Sequence, residues 1–448
     1  MARILFSFDT EDYINEYGAE GILRLAQIFK EEGLIANFVT VGLMAEALVK
    51  WGRQDIIAAM KEHEIVYHSH RHSMHPTINE YTDRADFYGA LADFIKDETI
   101  GVKKVCDILG VSDMPAACPP GNSTSYVAHY GYAKMGFPIY SGDDLIDAPH
   151  SRPIYACNIL TTYYKKAFDD WFLTITEDEM RTYLDQKVAQ RDLMIFFHHP
   201  QRAYCKHFCD IDNFYGENVP EEKWIESPRY TAEETETFYN NIRTFLRMVK
   251  ADPRFTVVTY SEVLEQSRED TRVIDKATLA ELRTQLDEYF FPVTTPNSYC
   301  VADVFNACRE MLCGATTHTC GEVYGFLDAP FAITEPVTLQ KKHIVKAAQT
   351  LSGEGFLPEY IYVDDKKIGP ADFMRAALAV LLDGAEEVTV NPGPWQIDMD
   401  QFPNLRDYNY HNTWVHCKSL EDKYLSNRFR WQSWTFRLPR GTARKIFE

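Results

Sequence analysis

Between residues 1 and 258, short apolar runs alternate with stretches of helical periodicity, and this alternation limits the chain to few architectures. Ile4-Leu5-Phe6-Ser7-Phe8 is a buried-strand run, and Ile22, Leu25, Ala26 and Phe29 then recur at helical spacing before Gly33. Ala36 to Val41 reads as a second strand closed by Gly42, residues 54–62 as a short helix, and 64–68 as a third strand. Residues 86–109 form a long helix ending at Gly110. A short strand near Ala116, a helix over 126–135 and a strand at Phe137 to Tyr140 follow. Leu193 to Phe197 is another apolar run, 232–250 a long amphipathic helix, and Phe255 to Val258 a last strand. Such alternation predicts an α/β unit built on a parallel sheet.

Polar clusters stand where these strands end: Asp9 to Asp12, His68 to His75, Pro119 to Ser123, and His198 to Pro200. In parallel α/β barrels the C-terminal edge of the strands carries the active site. The densest cluster is Glu64 to Pro76, where His68, His70, His72 and His75 fall within eight residues of a chain with fourteen histidines. Imidazole is the commonest protein metal ligand. One helical turn after the strand would stack His68 and His72, or His72 and His75, so spacing alone does not choose the pair. His70 and His75 are expected to face solvent or to support the ligands. Asp9 and Glu11 alternate at an extended strand end and can share a face. Two imidazoles and a carboxylate leave an open position on a metal, a second carboxylate can act as base, and a histidine can protonate a leaving amine. Together these parts suit amide hydrolysis.

Three of these stretches resemble the motifs of the NodB-homology polysaccharide deacetylases, in order, across residues 1 to about 265. Phe6-Ser7-Phe8-Asp9-Thr10-Glu11-Asp12 resembles the first motif, in which the leading Asp is the base. His68-Ser69-His70-Arg71-His72 resembles the second, whose two histidines bind the metal, and so selects His68 and His72. Phe196-Phe197-His198-His199-Pro200 resembles the last, whose histidine is the general acid; the position before Pro200 favours His199 over His198. The resemblance implies a distorted (β/α)7-type barrel, catalytic Asp9 and His199, and a divalent ion (Zn, with Co, Ni or Mn also suited) on His68, His72 and an acidic residue. Three departures stand out. Thr10 replaces the usual second Asp, so the acidic ligand is Glu11 or Asp12, with Glu11 favoured. Cys118, in Cys118-Pro119-Pro120-Gly121, replaces the Arg that orients the base, leaving Arg71 or Arg152 to substitute. The fourth motif is weak, with Asp143 or Asp144 nearest to it.

The implied activity is metal-dependent hydrolysis of a non-peptide amide, foremost N-deacetylation of an amino sugar or polysaccharide. A small amide or ureide on the same fold, or carbohydrate binding with little catalysis, are the alternatives. The net charge of −20 argues against nucleic acid and anionic membrane as partners. No apolar run is long enough for a membrane span, and no signal-peptide pattern opens the chain, so a cytoplasmic protein is expected. Ten cysteines fit reduced thiols, and Cys205-Lys206-His207-Phe208-Cys209 lacks a matching metal-binding pair nearby. Beyond the deacetylase-like domain at 1–265, residues 266–296 read as a charged helical linker and 297–390 as a helical accessory domain. Residues 391–448 read as a Trp/Pro-rich segment, whose tryptophans are expected to form an aromatic core. This separate, mainly helical region is also a candidate for homo-oligomer contacts.

Overall fold

The computed structural model describes residues 1–120, 125–142, 152–163, 166–290, 293–294, 298–393, 395, 397 and 423–439. The described chain forms two compact units. Met1–Pro153 and Ile159–Gln266 make the body of the first; Ile154–Asn158 and most described residues from Ser267 onward make the second.

The first unit is a distorted α/β barrel. Its strands are β1 (Ala2–Thr10), β2 (Asn37–Thr40), β3 (Glu64–Tyr67), β4 (Ala116–Ala117), β5 (Ile139–Ser141), β6 (Ile159–Thr162), β7 (Lys166–Ala167), β8 (Leu193–His198) and β9 (Phe255–Val257). They run in the order β6-β5-β4-β3-β2-β1-β8-β7, and β9 pairs with the first residues of β1. Every one of these pairings is parallel. All the strands therefore end on one edge. The register sets Asp9 beside Val39 and Phe8 beside His198, so the acidic end of β1 and the histidine end of β8 lie side by side.

Parallel strands are covered on both faces and so read as continuous apolar runs. Ile4, Leu5, Phe6 and Phe8 of β1 are all buried. The helices of this unit include α1 (Glu20–Glu31), α2 (Gly42–Lys50), α3 (Gln54–Met60), α4 (Phe87–Leu109), α5 (Tyr126–Lys134) and α6 (Ala232–Ala251). Thr231 and Glu234 form a capping box that starts α6, satisfying two of its free N–H groups. The helix then buries Phe238, Ile242, Phe245 and Val249 at helical spacing. Phe245 packs edge-on against Phe6 and Phe196, with ring centroids 6.3 and 5.4 Å away.

One local expectation is extended and one corrected. β2 ends before Gly42 as expected, and Gly42 then opens the helix α2. Its N–H donates to the Ser69 carbonyl and that of Leu43 to the His70 carbonyl, so the helix start grips the histidine segment. His68 and His72 do not lie on a helical turn. The segment is an irregular loop in which Ser69 (φ 76°) and His72 (φ 54°) take left-handed conformations. The i, i+4 spacing is met by a folded-back loop instead.

The second unit holds the expected helices, here α7 (Lys276–Glu288), α8 (Val301–Leu312), α9 (Lys341–Thr350) and α10 (Pro370–Asp383). It also holds short antiparallel strand pairs that periodicity did not reveal: Val273–Asp275 with Thr317–Thr319, Val337–Gln340 with Glu387–Val390, and Ile361–Val363 with Lys366–Ile368. Trp434 is buried against Phe290, Phe305 and Phe326, in line with an aromatic core. Trp414 lies outside the described residues.

Candidate metal-binding active site

Segments near residues 10, 70 and 200 meet at the C-terminal edge of the sheet. Glu11 Oε2 lies 2.8 Å from His72 Nε2 and 3.4 Å from His68 Nε2. His199 Nε2 lies 3.7 Å from both Asp9 Oδ2 and Glu11 Oε1. Glu11, His68 and His72 each offer a ligand atom within 4.8 Å of the others, and so do Asp9, Glu11 and His199. All five sequence-predicted site residues thus share one buried cluster.

The two loop histidines are held by their Nδ1 atoms. His68 Nδ1 donates to the Cys118 carbonyl, which can only accept, and this turns Nε2 toward Glu11. His72 Nδ1 faces Ser73 Oγ at 2.8 Å and Asp210 Oδ1 at 3.4 Å, again leaving Nε2 toward Glu11. Gln201 donates to Glu11 Oε1 over 3.2 Å. Asp12 turns away. It accepts from the Ile14 and Asn15 backbone N–H groups and from the Asn15 side chain, which makes it the brace of the β1 loop. Of the two acidic candidates, Glu11 faces the imidazoles.

His199 and His198 divide as their neighbours dictate. His198 packs between Phe8 and Phe238, whereas His199 faces the carboxylates. Both donate from Nδ1 to Asp169, at 3.0 Å each, and the His199 backbone N–H adds a third bond of 3.0 Å. Asp169 follows the two-residue strand β7 and carries no signal in the sequence; Asp143 and Asp144, the nearest candidates for the fourth motif, lie outside the described residues.

Charge follows from this packing. Burial works to raise the Glu11 pKa, but the His199 and His72 rings outweigh it and hold the carboxyl well below its usual range. Burial raises Asp9, only partly offset by His68 and His199. Burial would lower His199, but Asp169, Glu11 and Asp9 push it up to about 10. His72 is likewise raised well above 6.5, with Glu11 and Asp210 overcoming burial. An excess of buried negative charge draws protons onto these imidazoles, and a cation answers the same excess.

The residues present fit a divalent ion. Two imidazole Nε2 atoms and a carboxylate converge, and Asp9 Oδ1 is buried with no hydrogen-bond partner. No arginine among the described residues pairs with Asp9. Arg71, one of the two expected substitutes for an orienting Arg, is bound to Asp97 Oδ2 at 2.9 Å instead. The Cys118 thiol instead points at the Tyr260 hydroxyl, 3.6 Å away. His70 is buried against Asp97, and His75 bonds Glu80 and the Phe214 carbonyl; of the two alternatives expected for them, facing solvent is the one the structure removes. Cys205 and Cys209 are buried thiols, while His207 pairs with Asp212. A cleft of about 760 Å³ lined by Arg181, Asp185, Arg247 and Arg254 lies near the start of β9, at the opposite edge, and holds none of the site residues.

No family model matches the chain, and no curated protein matches it. Among solved structures, a Mycobacterium smegmatis protein assigned as a polysaccharide deacetylase shares 17% identity, with a TM-score of 0.38 over 59% of this chain and 88% of its own. A CE4-family pseudoenzyme from Bacillus anthracis shares 12%, with a TM-score of 0.34 over 59% and 65%. The allantoinase PuuE shares 11%, with a TM-score of 0.39 over 59% and 89%. Neighbours at this distance fix neither activity nor substrate. The solved structures that this chain resembles include polysaccharide deacetylases and CE4 relatives, over about three-fifths of its length.

Proposed function

We propose that the first unit is a metal-dependent amide hydrolase, acting foremost as an N-deacetylase of an amino sugar or its polymer. The observation that carries this reading is the convergence of Asp9, Glu11, His68, His72 and His199 on one buried site. Glu11, His68 and His72 would hold one divalent ion, with zinc the first candidate and cobalt, nickel or manganese also suited to this donor set. Such an ion supplies Lewis acidity toward a carbonyl and lowers the pKa of water.

The chain's own residues supply the rest. Asp9, its basicity raised by burial, takes the proton of the attacking water. Asp169 fixes His199 with Nδ1–H engaged and Nε2 facing the site, so that Nε2 delivers a proton to the leaving nitrogen. The carbon–nitrogen bond breaks, and acetate and a free amine leave. Gln201 keeps Glu11 turned toward the two imidazoles.

The test is acetate release from N-acetylglucosamine oligomers, with small amides and ureides as a parallel arm. Activity should vanish with chelator and return with added zinc or cobalt. No turnover of any substrate class with any divalent ion, in folded protein, would remove the hydrolase reading. A second reading, sugar binding with slow turnover, is favoured by Cys118 standing where an orienting Arg is expected. It requires that Asp9→Asn leave oligosaccharide affinity unchanged while wild-type turnover stays near background.

A further inference from the structure

The second unit carries its own cluster of metal-ligating side chains, independent of the barrel site. His318 lies in the middle of the strand Thr317–Thr319, paired opposite Ile274, and Cys320 follows directly, its N–H bonded to the Arg272 carbonyl. Asp303 sits in the first turn of α8. The ligand atoms of Asp303, His318 and Cys320 lie within 4.8 Å of one another.

Two of the three side chains are already held in place. Asp303 Oδ2 accepts from the Cys300 N–H at 3.0 Å, closing the helix cap, and from Arg272 Nη1 at 2.5 Å. Its other oxygen, Oδ1, is buried with no hydrogen-bond partner, on a residue that is 0% exposed. His318 Nδ1 meets Glu310 Oε2 at 2.7 Å, leaving Nε2 for a ligand. A carboxylate on the outer nitrogen is the arrangement that orients histidines toward metals. Cys320 is only partly buried, so the cluster is open on one side.

Arg272 cancels one carboxylate charge, which explains why Asp303 is tolerated there. It does not explain the orphaned second oxygen or the Glu310-oriented histidine beside a thiol. We propose that Asp303, His318 and Cys320 form a second metal site, for a zinc-type ion. A thiolate, an imidazole and one carboxylate oxygen suit Zn²⁺ or Co²⁺, and are poor donors for Mg²⁺ or Ca²⁺. The Cys320 thiol proton goes to buffer as the sulfur–metal bond forms, and a water completes the fourth position.

The experiment uses the full chain, stripped with chelator and titrated with Co²⁺ and then Zn²⁺. The barrel set of Glu11, His68 and His72 contains no sulfur, so a thiolate-to-cobalt charge-transfer band separates the second site from the barrel one, and its loss in Cys320→Ser assigns it to Cys320. The expected result is that band, displaced by Zn²⁺, and one bound equivalent lost in Cys320→Ser with the others retained. Glu310→Gln, which keeps the three ligands, should weaken cobalt binding roughly 10- to 100-fold as judged by the band. A stripped wild-type protein that takes up cobalt without the band overturns the proposal and leaves the barrel reading intact. A band with a single equivalent bound keeps this site and removes the barrel one. Should Cys320→Ser fail to fold, the wild-type band and the Glu310→Gln titration still decide.

Discussion

Replacing Glu98 by Gln should make the protein more stable at alkaline pH, with an effect that fades in acid. Glu98 lies on α4, is 1% exposed, and receives the Tyr132 hydroxyl at 3.0 Å. Burial pushes its carboxyl up to about 7; Tyr67 opposes this and the neighbouring Asp97 charge reinforces it. A raised carboxyl pKa means that the native state holds a proton which the unfolded chain releases near pH 4.5. Stability therefore falls as pH climbs from about 4.5 to 7, and the full penalty persists above 7. A pKa of about 7 against 4.5 corresponds to about 3 kcal/mol at alkaline pH.

Gln at this position cannot ionise, and its oxygen can still accept from Tyr132. Its new N–H groups carry their own burial cost of about 1–3 kcal/mol, independent of pH. The diagnostic is thus the pH dependence. The stability difference between Glu98→Gln and wild type should move in favour of the variant by roughly 2.5 kcal/mol between pH 5 and pH 8. The assay is urea unfolding read by hydrogen exchange on peptides from α4, since the two units need not unfold together. A difference that stays flat across this range would refute the assignment of a buried, neutral Glu98.

The same helix explains why Gly101 should resist substitution: a Cβ there would lie 2.2 Å from the Tyr67 hydroxyl and 2.6 Å from His70 Cα. Gly101→Ala should cost about 1–3 kcal/mol and weaken metal binding by calorimetry, whereas an unaltered affinity would show that the His68–His72 loop is not braced by α4. Phe196, fully buried against Phe6, Phe168 and Phe245, should cost about 3–5 kcal/mol as Phe196→Ala in urea unfolding. In Asp169→Asn, the His199 imidazole should titrate well below about 10 by NMR in metal-stripped protein, with Glu11 and Asp9 left to hold it up. His199 is raised, so its stabilisation is present below pH 6.5 and is lost as pH rises through about 10; the variant should lose the share of that dependence which Asp169 supplies. An unmoved titration would show that Asp169 does not set His199.

How much of this was legible depends on what kind of constraint each residue obeys. β1, β3 and β8 could be read directly, because strands covered on both faces must be apolar along their whole length. Glu11, His68, His72 and His199 could be read because few side chains ligate metals or shuttle protons, and these follow such strands. The path between them could not. A four-residue spacing fits a helical turn, and it also fits a loop with Ser69 and His72 left-handed, which is what Gly42 and Leu43 hold in place. β7 is two residues of Lys and Ala, with no apolar run to announce it, so Asp169 stood in unmarked sequence.

Asp210 was hidden differently, inside a segment that drew attention for its cysteines. Both aspartates do the same work for different rings. Each turns one imidazole so that the other nitrogen faces Glu11. With 66 acidic residues in the chain, residue type cannot single out these two; only their distance to a histidine nitrogen can. Sequence thus exposes the groups whose chemistry is rare and conceals those whose chemistry is common and whose position is not. Glu310 stands behind the His318 ring in the second unit as Asp210 stands behind the His72 ring in the first, a carboxylate facing Nδ1 in each case. A carboxylate behind a ring nitrogen frees the other nitrogen for an ion, and that is what the barrel cluster and the proposed second one share.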